Sequence, residues 1–261
     1  MLATGSNSLT AFRLSIRSGA DGFSFSVVST LDGSVVQTDH YPVSEEAAAG
    51  DVLRQALRKP YLMDYRFLDV EIVADSPSTI VPLEHFNKSD MLALYRLAFP
   101  SMVNGGGAVA DGGCRVAGAQ CSVADMQYQI LSSVEAVMIF SLDQDLLRTV
   151  QECYPDVRVC SAEARLLGHF AAMHEKRPAP EAEQCDVYLH AGPHSIFVAA
   201  FRRGKLLYAA SQPAADDADR TFLLLGIWKA LGLQAQRDIL HLEGASRELQ
   251  KTIGEYILHI E

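Results

Sequence analysis

One pattern is written twice in this chain, about 170 residues apart. Near the start, LSIRSGADGFSFSVV reads as an apolar strand, a glycine-containing turn and a second strand with Phe23, Phe25 and Val27 on one face. A tight turn at Asp32-Gly33 leads to a third strand, Ser34 to Tyr41, ending at Pro42. From Cys185, CDVYLHAGPHSIFVAAF repeats the order, with its turn at Gly192-Pro193. Gly204 makes the next turn, and KLLYAASQP is a third strand ending at Pro213. Gly33 to Gly204 and Pro42 to Pro213 are both separations of 171 residues. Gly19 to Gly192 is 173, which predicts that one first hairpin is two residues shorter than the other. Each third strand is followed by a helix. The first has Ser44 as N-cap and Val52, Leu53, Ala56 and Leu57 on one face. The second, Thr221 to Leu231, is apolar nearly all round and is predicted to be buried, with Gly232 at its C-cap. Buried strands follow in both copies, FLDVEIVAD at 67–75 and DILHLEGAS at 238–246, again offset by 171. The repeated unit is therefore β-β-β-α-β; chance aligns two glycines and a proline more readily than five elements in order.

More α/β material lies between the copies. STIVPLEHF is a short strand, residues 89–99 a helix with Leu92, Tyr95 and Phe99 among its apolar positions, and MQYQILSS and VEAVMIFSLD paired strands. Asp143 or Asp145 caps a helix with Leu146, Leu147 and Val150 inward; DVRVCSA is a strand and EARLLGHFAAM a helix. Two stretches break the pattern. NGGGAVADGG at 104–113 has the glycines of a loop but not the spacing of a phosphate-cradling one. KRPAPEAEQ at 176–184 is charged, Pro-rich and linker-like. The expected division is a first lobe at 1–175 with an insertion at about 100–157, a linker at 176–183, and a second lobe at 184–261.

Composition narrows the function classes. With 49% apolar and 21% charged residues, the chain has the balance of a folded globular protein. A net charge of −10 gives no electrostatic footprint for nucleic acid, and no apolar run approaches the ~18 residues of a membrane span. MLATGSNSLTAF has neither a basic n-region nor an apolar h-region, and five cysteines is an odd number; both predict reduced thiols and a cytoplasmic protein. Cys114/Cys121 and Cys153/Cys160 are spaced C-x6-C, which is not a zinc knuckle.

A duplicated β-β-β-α-β unit with a linker and an insertion resembles the actin-like ATPase fold, that is, two ribonuclease H-like lobes. VEAVMIFSLD leading into QDLLRTVQECYP, then DVRVCSAEA, a helix and the second opening hairpin, is similar to the pilus-assembly and type II secretion branch of that superfamily. LSIRSGADGFSFSV and STIVPLEHF resemble an uncharacterised bacterial family with the same fold. In active members of the superfamily, a turn from each lobe wraps the nucleotide phosphates and an Asp ends each first strand to hold Mg²⁺ or its water shell. The resemblance puts Arg17, followed by Ser18 and Gly19, at the first such position, and His190, followed by Ala191 and Gly192, at the second. The third signature, a glycine pair beside the adenosine, keeps Gly244 but has Glu243 in place of the first glycine. These seven residues, Arg17, Ser18, Gly19, His190, Gly192, Glu243 and Gly244, are the cleft candidates by alignment; no catalytic residue, metal ligand or cofactor is assigned. A guanidinium offers only donors, and Mg²⁺ prefers oxygen. Asp21 is the only nearby rescue, since Asp186 sits about 13 Å back along its strand. The resemblance therefore implies a non-catalytic scaffold or interaction module whose partner is another protein, without nucleic acid or a direct membrane span. Its alternative is a nucleotide-binding protein or ATPase using the interlobe cleft.

Other candidates have simpler readings. His190, His194 and Ser195 make a histidine-bearing turn without a placed Asp or a nucleophile elbow. His169 and His174 are five apart and so do not share a helix face. Arg17 suits a phosphate, a partner carboxylate or a surface ion pair with a nearby Asp, and Asp216, Asp217 and Asp219 suit a helix N-terminus. Trp228 reads as core.

Overall fold

A computed structural model describes residues 11–19, 22–43, 49–99, 122–177 and 184–261. Asp21, Ser44, the glycine-rich stretch 104–113, Cys114, Cys121 and most of the expected linker lie outside them. The chain runs β1 (Phe12–Gly19), β2 (Gly22–Ser29), β3 (Val35–Pro42), α1 (Ala49–Leu57), α2 (Pro60–Asp64), β4 (Phe67–Ala74), β5 (Ser78–Pro82) and α3 (Met91–Ala98). It continues with β6 (Met126–Leu131), β7 (Ala136–Ser141), α4 (Gln144–Cys153), β8 (Arg158–Ser161) and α5 (Ala162–Glu175). The last elements are β9 (Cys185–Ala191), β10 (Ser195–Arg202), β11 (Lys205–Pro213), α6 (Asp217–Ala230), β12 (Ile239–Glu243) and α7 (Arg247–Ile253).

Contacts divide the chain into two units, Met1–Asp75 with Leu142–Cys160, and Ser76–Ser141 with Ser161–Glu261. The first holds a five-stranded sheet in the order β3-β2-β1-β4-β8, with β1 antiparallel to β2 and parallel to β4. Leu14, Ile16, Phe23, Phe25, Val27 and Ile72 are buried on one face of this sheet, as the alternation predicts. In the second unit, β11-β10-β9-β12 repeats the order with β9 parallel to β12, and β5-β7-β6 forms a separate antiparallel sheet. Strands 12–42 and 185–213 thus lie in different sheets of like topology, as a duplication requires.

A bulge appears in both copies, a detail that residue spacing alone does not show. The β2–β3 ladder shifts between Val27 and Val28, leaving Val36 unmatched; the β10–β11 ladder shifts between Ala200 and Phe201, leaving Leu207 unmatched. Gly33 and Gly204 both have φ of 72°. The ladders also correct where the copies differ in length. Gly19 lies opposite Gly22, and the Gly192 N–H bonds Ser195 O at 2.9 Å, so the first hairpins are equal. The difference falls in the second hairpin, between Val28 and Val35 in one copy and Phe201 and Leu206 in the other. Fourth strands align with an offset of 170, Ile16 facing Ile72 and Leu189 facing Leu242. Turn glycines can drift by a residue or two, whereas cross-strand pairs fix the register.

The contact units also cut the chain differently from the linear division, since 76–141 and 161–175 go with the C-terminal part. Within that unit, the Phe170 ring of α5 stacks on Tyr188 of β9 at 5.2 Å and Phe197 of β10 at 6.2 Å. Helix α6 departs from expectation too. Thr221, Leu224, Ile227 and Trp228 are buried, yet Phe222 is 78% exposed. A helix on a sheet buries only the stripe that meets it, whatever its other faces carry.

Candidate functional site

In the first unit, Arg17 sits on β1 opposite Ser24 of β2 and Val73 of β4. Its guanidinium pairs with the carboxylate of Asp75, the residue just past β4, whose N–H bonds Ser18 O at 2.9 Å. Spacing did not reveal Asp75; only the parallel β1–β4 register brings it beside Arg17. The two side chains are 58% and 38% exposed, so the pair contributes little. Arg17→Ala is expected to lower the unfolding free energy by less than about 1 kcal/mol in a urea melt.

In the second unit, His190 lies between Phe197 of β10 and Glu243 of β12. Its Nδ1 is buried without a hydrogen-bond partner among the described residues. Glu243 instead takes His169 Nε2 of α5 at 2.8 Å. Gly244 has φ of 70°, and a Cβ there would stand 2.8 Å from Ala191 O, so the glycine is kept by backbone proximity. The turn after β9 is held by Arg220 of α6, which donates to Gly192 O at 2.9 Å and Pro193 O at 2.8 Å, and pairs with Asp217 at 2.7 Å. No bond joins Ser195 Oγ to a histidine among the described residues.

A magnesium-bound phosphate needs carboxylate oxygens at the strand ends and free amide donors in the turns. In the first unit the strand end carries a guanidinium, and the nearest described carboxylate is already its counter-ion. In the second it carries an imidazole, with Glu243 bonded to His169. The Gly192 N–H is spent closing the turn, and Pro193 has none. Among the described residues, those at the strand ends of each unit do not fit that group. Among the described residues, no set of three or more His, Cys, Asp or Glu side chains is placed to hold a metal ion.

The remaining acid of interest, Asp186, is deep in the second unit, its side chain 2% exposed. Its Oδ1 accepts from His241 Nε2 at 3.1 Å, and Arg177 Nε lies 3.5 Å away. His174 Nδ1 is 3.2 Å from Oδ2 but out of line for a hydrogen bond. Tyr188 stacks on His241 at 4.4 Å, and Arg177 also pairs with Glu261. Burial pushes the Asp186 carboxyl up, but the His241 hydrogen bond and the Arg177, His241 and His174 charges outweigh it, leaving the group below the usual carboxylate range. Burial also pushes the Tyr188 phenol up, to about 12. His174 and His169 thus serve different partners, as their spacing predicted. The sheet partners of Asp186 were not visible in the sequence.

Two sheets of order 3-2-1-4, each with a parallel fourth strand, define the actin-like ATPase fold. A structure from Bacteroides thetaiotaomicron, described as having that fold and unknown function, is similar at a TM-score of 0.73 and 23% identity, over 100% of this chain and 93% of that one. The PilM–PilN type IV pilus biogenesis complex matches at 0.50 and 15% identity, over 95% and 87%. The cytoplasmic domain of EpsL, from the type II secretion system of Vibrio cholerae, matches at 0.41 and 13%, over 89% and 80%. No curated protein sequence matches significantly. The chain belongs to the family described as a protein of unknown function, DUF3822, whose profile matches residues 6–105 and 121–260. The interval between those segments holds most of the glycine-rich stretch, residues 106–113 of 104–113. Among the described residues, no helix is long and apolar enough to cross a membrane.

Proposed function

We propose that this chain is a non-catalytic actin-like module that acts by binding another protein, without nucleotide turnover. The Arg17–Asp75 pair carries this reading: a protonated guanidinium at the first strand end cannot orient a metal-bound water, and it occupies the carboxylate beside it. His190, Pro193 and the Glu243–His169 pair support it from the second unit. A protein partner is favoured by the similarity to PilM, solved as a complex with PilN, and by a net charge of −10, which disfavours nucleic acid. A cytoplasmic setting goes with the reading, Cys153, Cys160 and Cys185 being in no disulfide among the described residues.

The test is phosphate release and calorimetric titration of the purified protein with ATP and ADP, with and without Mg²⁺. The expected result is no turnover above the blank and no Mg²⁺-dependent heat. Turnover abolished by Asp21→Asn would restore an enzyme, and tight nucleotide binding without turnover would convert the reading to a nucleotide sensor.

A further inference from the structure

The exposed face of α6 carries apolar surface that the described residues leave uncovered. Asp219, Phe222, Gly226 and Lys229 follow one another at spacings of three, four and three, so they share a stripe, with Ala230 alongside. All five are exposed, and Phe222, at 78%, is among the most exposed large apolar side chains of the described residues. Phe222, Gly226 and Ala230 of the stripe line one side of a groove of about 300 Å³ between α6 and the edge strand β11, with Tyr208, Gln212 and Ile227 also lining it. A Cβ on Gly226 would meet nothing within 4 Å, so this chain's own packing does not require glycine there. Glycine inside a helix costs stability, and here nothing within the fold explains it.

We infer that two copies of this chain associate through α6, antiparallel about a two-fold axis, with Phe222 of each copy seated over Gly226 of the other. Self-complementarity selects a second copy over any other occupant. An antiparallel pair centred at the level of Leu224 puts Phe222 and Gly226 opposite each other, two residues either side of centre. The same register sets Asp219 opposite Lys229, five residues either side, so the steric and charge matches occur together. The two-fold axis makes both matches twice. Asp219 accepts from the Ala215 N–H at 3.1 Å, which leaves lone pairs for a second donor. The Lys229 ammonium group has no hydrogen bond or ion pair among the described residues. The polarity also suits the helix dipoles, since each acidic N-terminal turn meets a basic C-terminal one. Gly226 and Ala230 permit the close approach that a bulky stripe would prevent. Two helices about 21 Å long bury less than the standard ~1,600 Å² of a stable complex, so the association is weak, with Kd on the order of 10–100 µM. This inference stands apart from the nucleotide reading and survives its failure.

Sedimentation velocity on the purified full chain, from about 5 to 500 µM, tests it. The wild-type protein is expected to shift from monomer to dimer across that range. Gly226→Gln, whose side chain has room in the monomer, is expected to stay monomeric throughout with its melting temperature unchanged or raised. Lys229→Glu is expected to weaken the dimer at least tenfold. A wild-type chain that is monomeric at every concentration overturns the inference, including the case in which α6 instead binds a different protein. A dimer indifferent to Gly226→Gln overturns it equally.

Discussion

Asp186→Ala is expected to lower the unfolding free energy by about 3–5 kcal/mol and the melting temperature by roughly 10 °C. The carboxylate is 2% exposed and faces His241, His174 and Arg177, so its removal leaves polar and cationic groups facing a buried hole. Breaking one side of a buried charge cluster does more harm than replacing the whole, because the surviving charges keep their desolvation penalty. The pH dependence has a definite sign. The Asp186 carboxyl titrates below its ordinary range in the folded protein. Its contribution is therefore complete above the unfolded value of about 4 and is lost as pH falls through the folded one. Asp186→Asn keeps the shape but removes that titration, so its stability should fall less steeply than wild type below about pH 4. Urea melts at pH 7 and at a series of acidic pH values measure both effects. A loss below 1 kcal/mol at pH 7 for Asp186→Ala would mean that the cluster is solvated and loosely held.

Gly22→Ala is expected to be nearly as damaging, by a different route. Gly22 opens β2 with φ of 129°, a region open essentially to glycine alone. A Cβ there would lie 2.2 Å from Tyr41 O and 2.9 Å from Pro42 Cα and Val43 N. All three are backbone atoms of the neighbouring edge, so no side chain can swing away. The first sheet must open or the strand must shift, at about 3 kcal/mol or more. Gly33 is the internal control. With φ of 72° but nothing within 4 Å of its Cβ position, Gly33→Ala should cost only about 1 kcal/mol. Equal losses in side-by-side urea melts would show that backbone conformation alone, not the Tyr41 contact, sets the penalty.

Much of this architecture is legible in the residues. Period-two alternation places Phe23, Phe25 and Val27 in the core, and repeated turn signals announce the duplication before any ladder is seen. What stays hidden depends on register. Arg17 and Asp75 are 58 residues apart, and Asp186 and His241 are 55 apart. Each pair meets across two parallel strands, whose relative slide no local pattern encodes. The bulges at Val36 and Leu207 are invisible for the same reason. The uncovered face of α6 is hidden differently. Periodicity finds a helix's apolar side by contrast with its polar side, and a helix apolar nearly all round offers no contrast. The candidate turns were locatable by their glycines, but Arg220, which fastens one of them, comes from a helix 27 residues further on.

The first unit is written in two instalments, and this sets a timetable for synthesis. When β4 leaves the ribosome, four of the five strands of its sheet exist, but β8, which pairs with the outer edge of β4, has not been made. At about 5–20 residues per second, the chain between β4 and β8 takes roughly 4–17 s to appear. During that interval the nascent sheet has an apolar strand, Phe67–Ala74, at an open border where Val70, Ile72 and Val73 will later be buried. A neighbouring nascent chain could stitch onto that border before β8 arrives. Slow translation through the intervening stretch would lengthen the exposure, and rapid translation would shorten it.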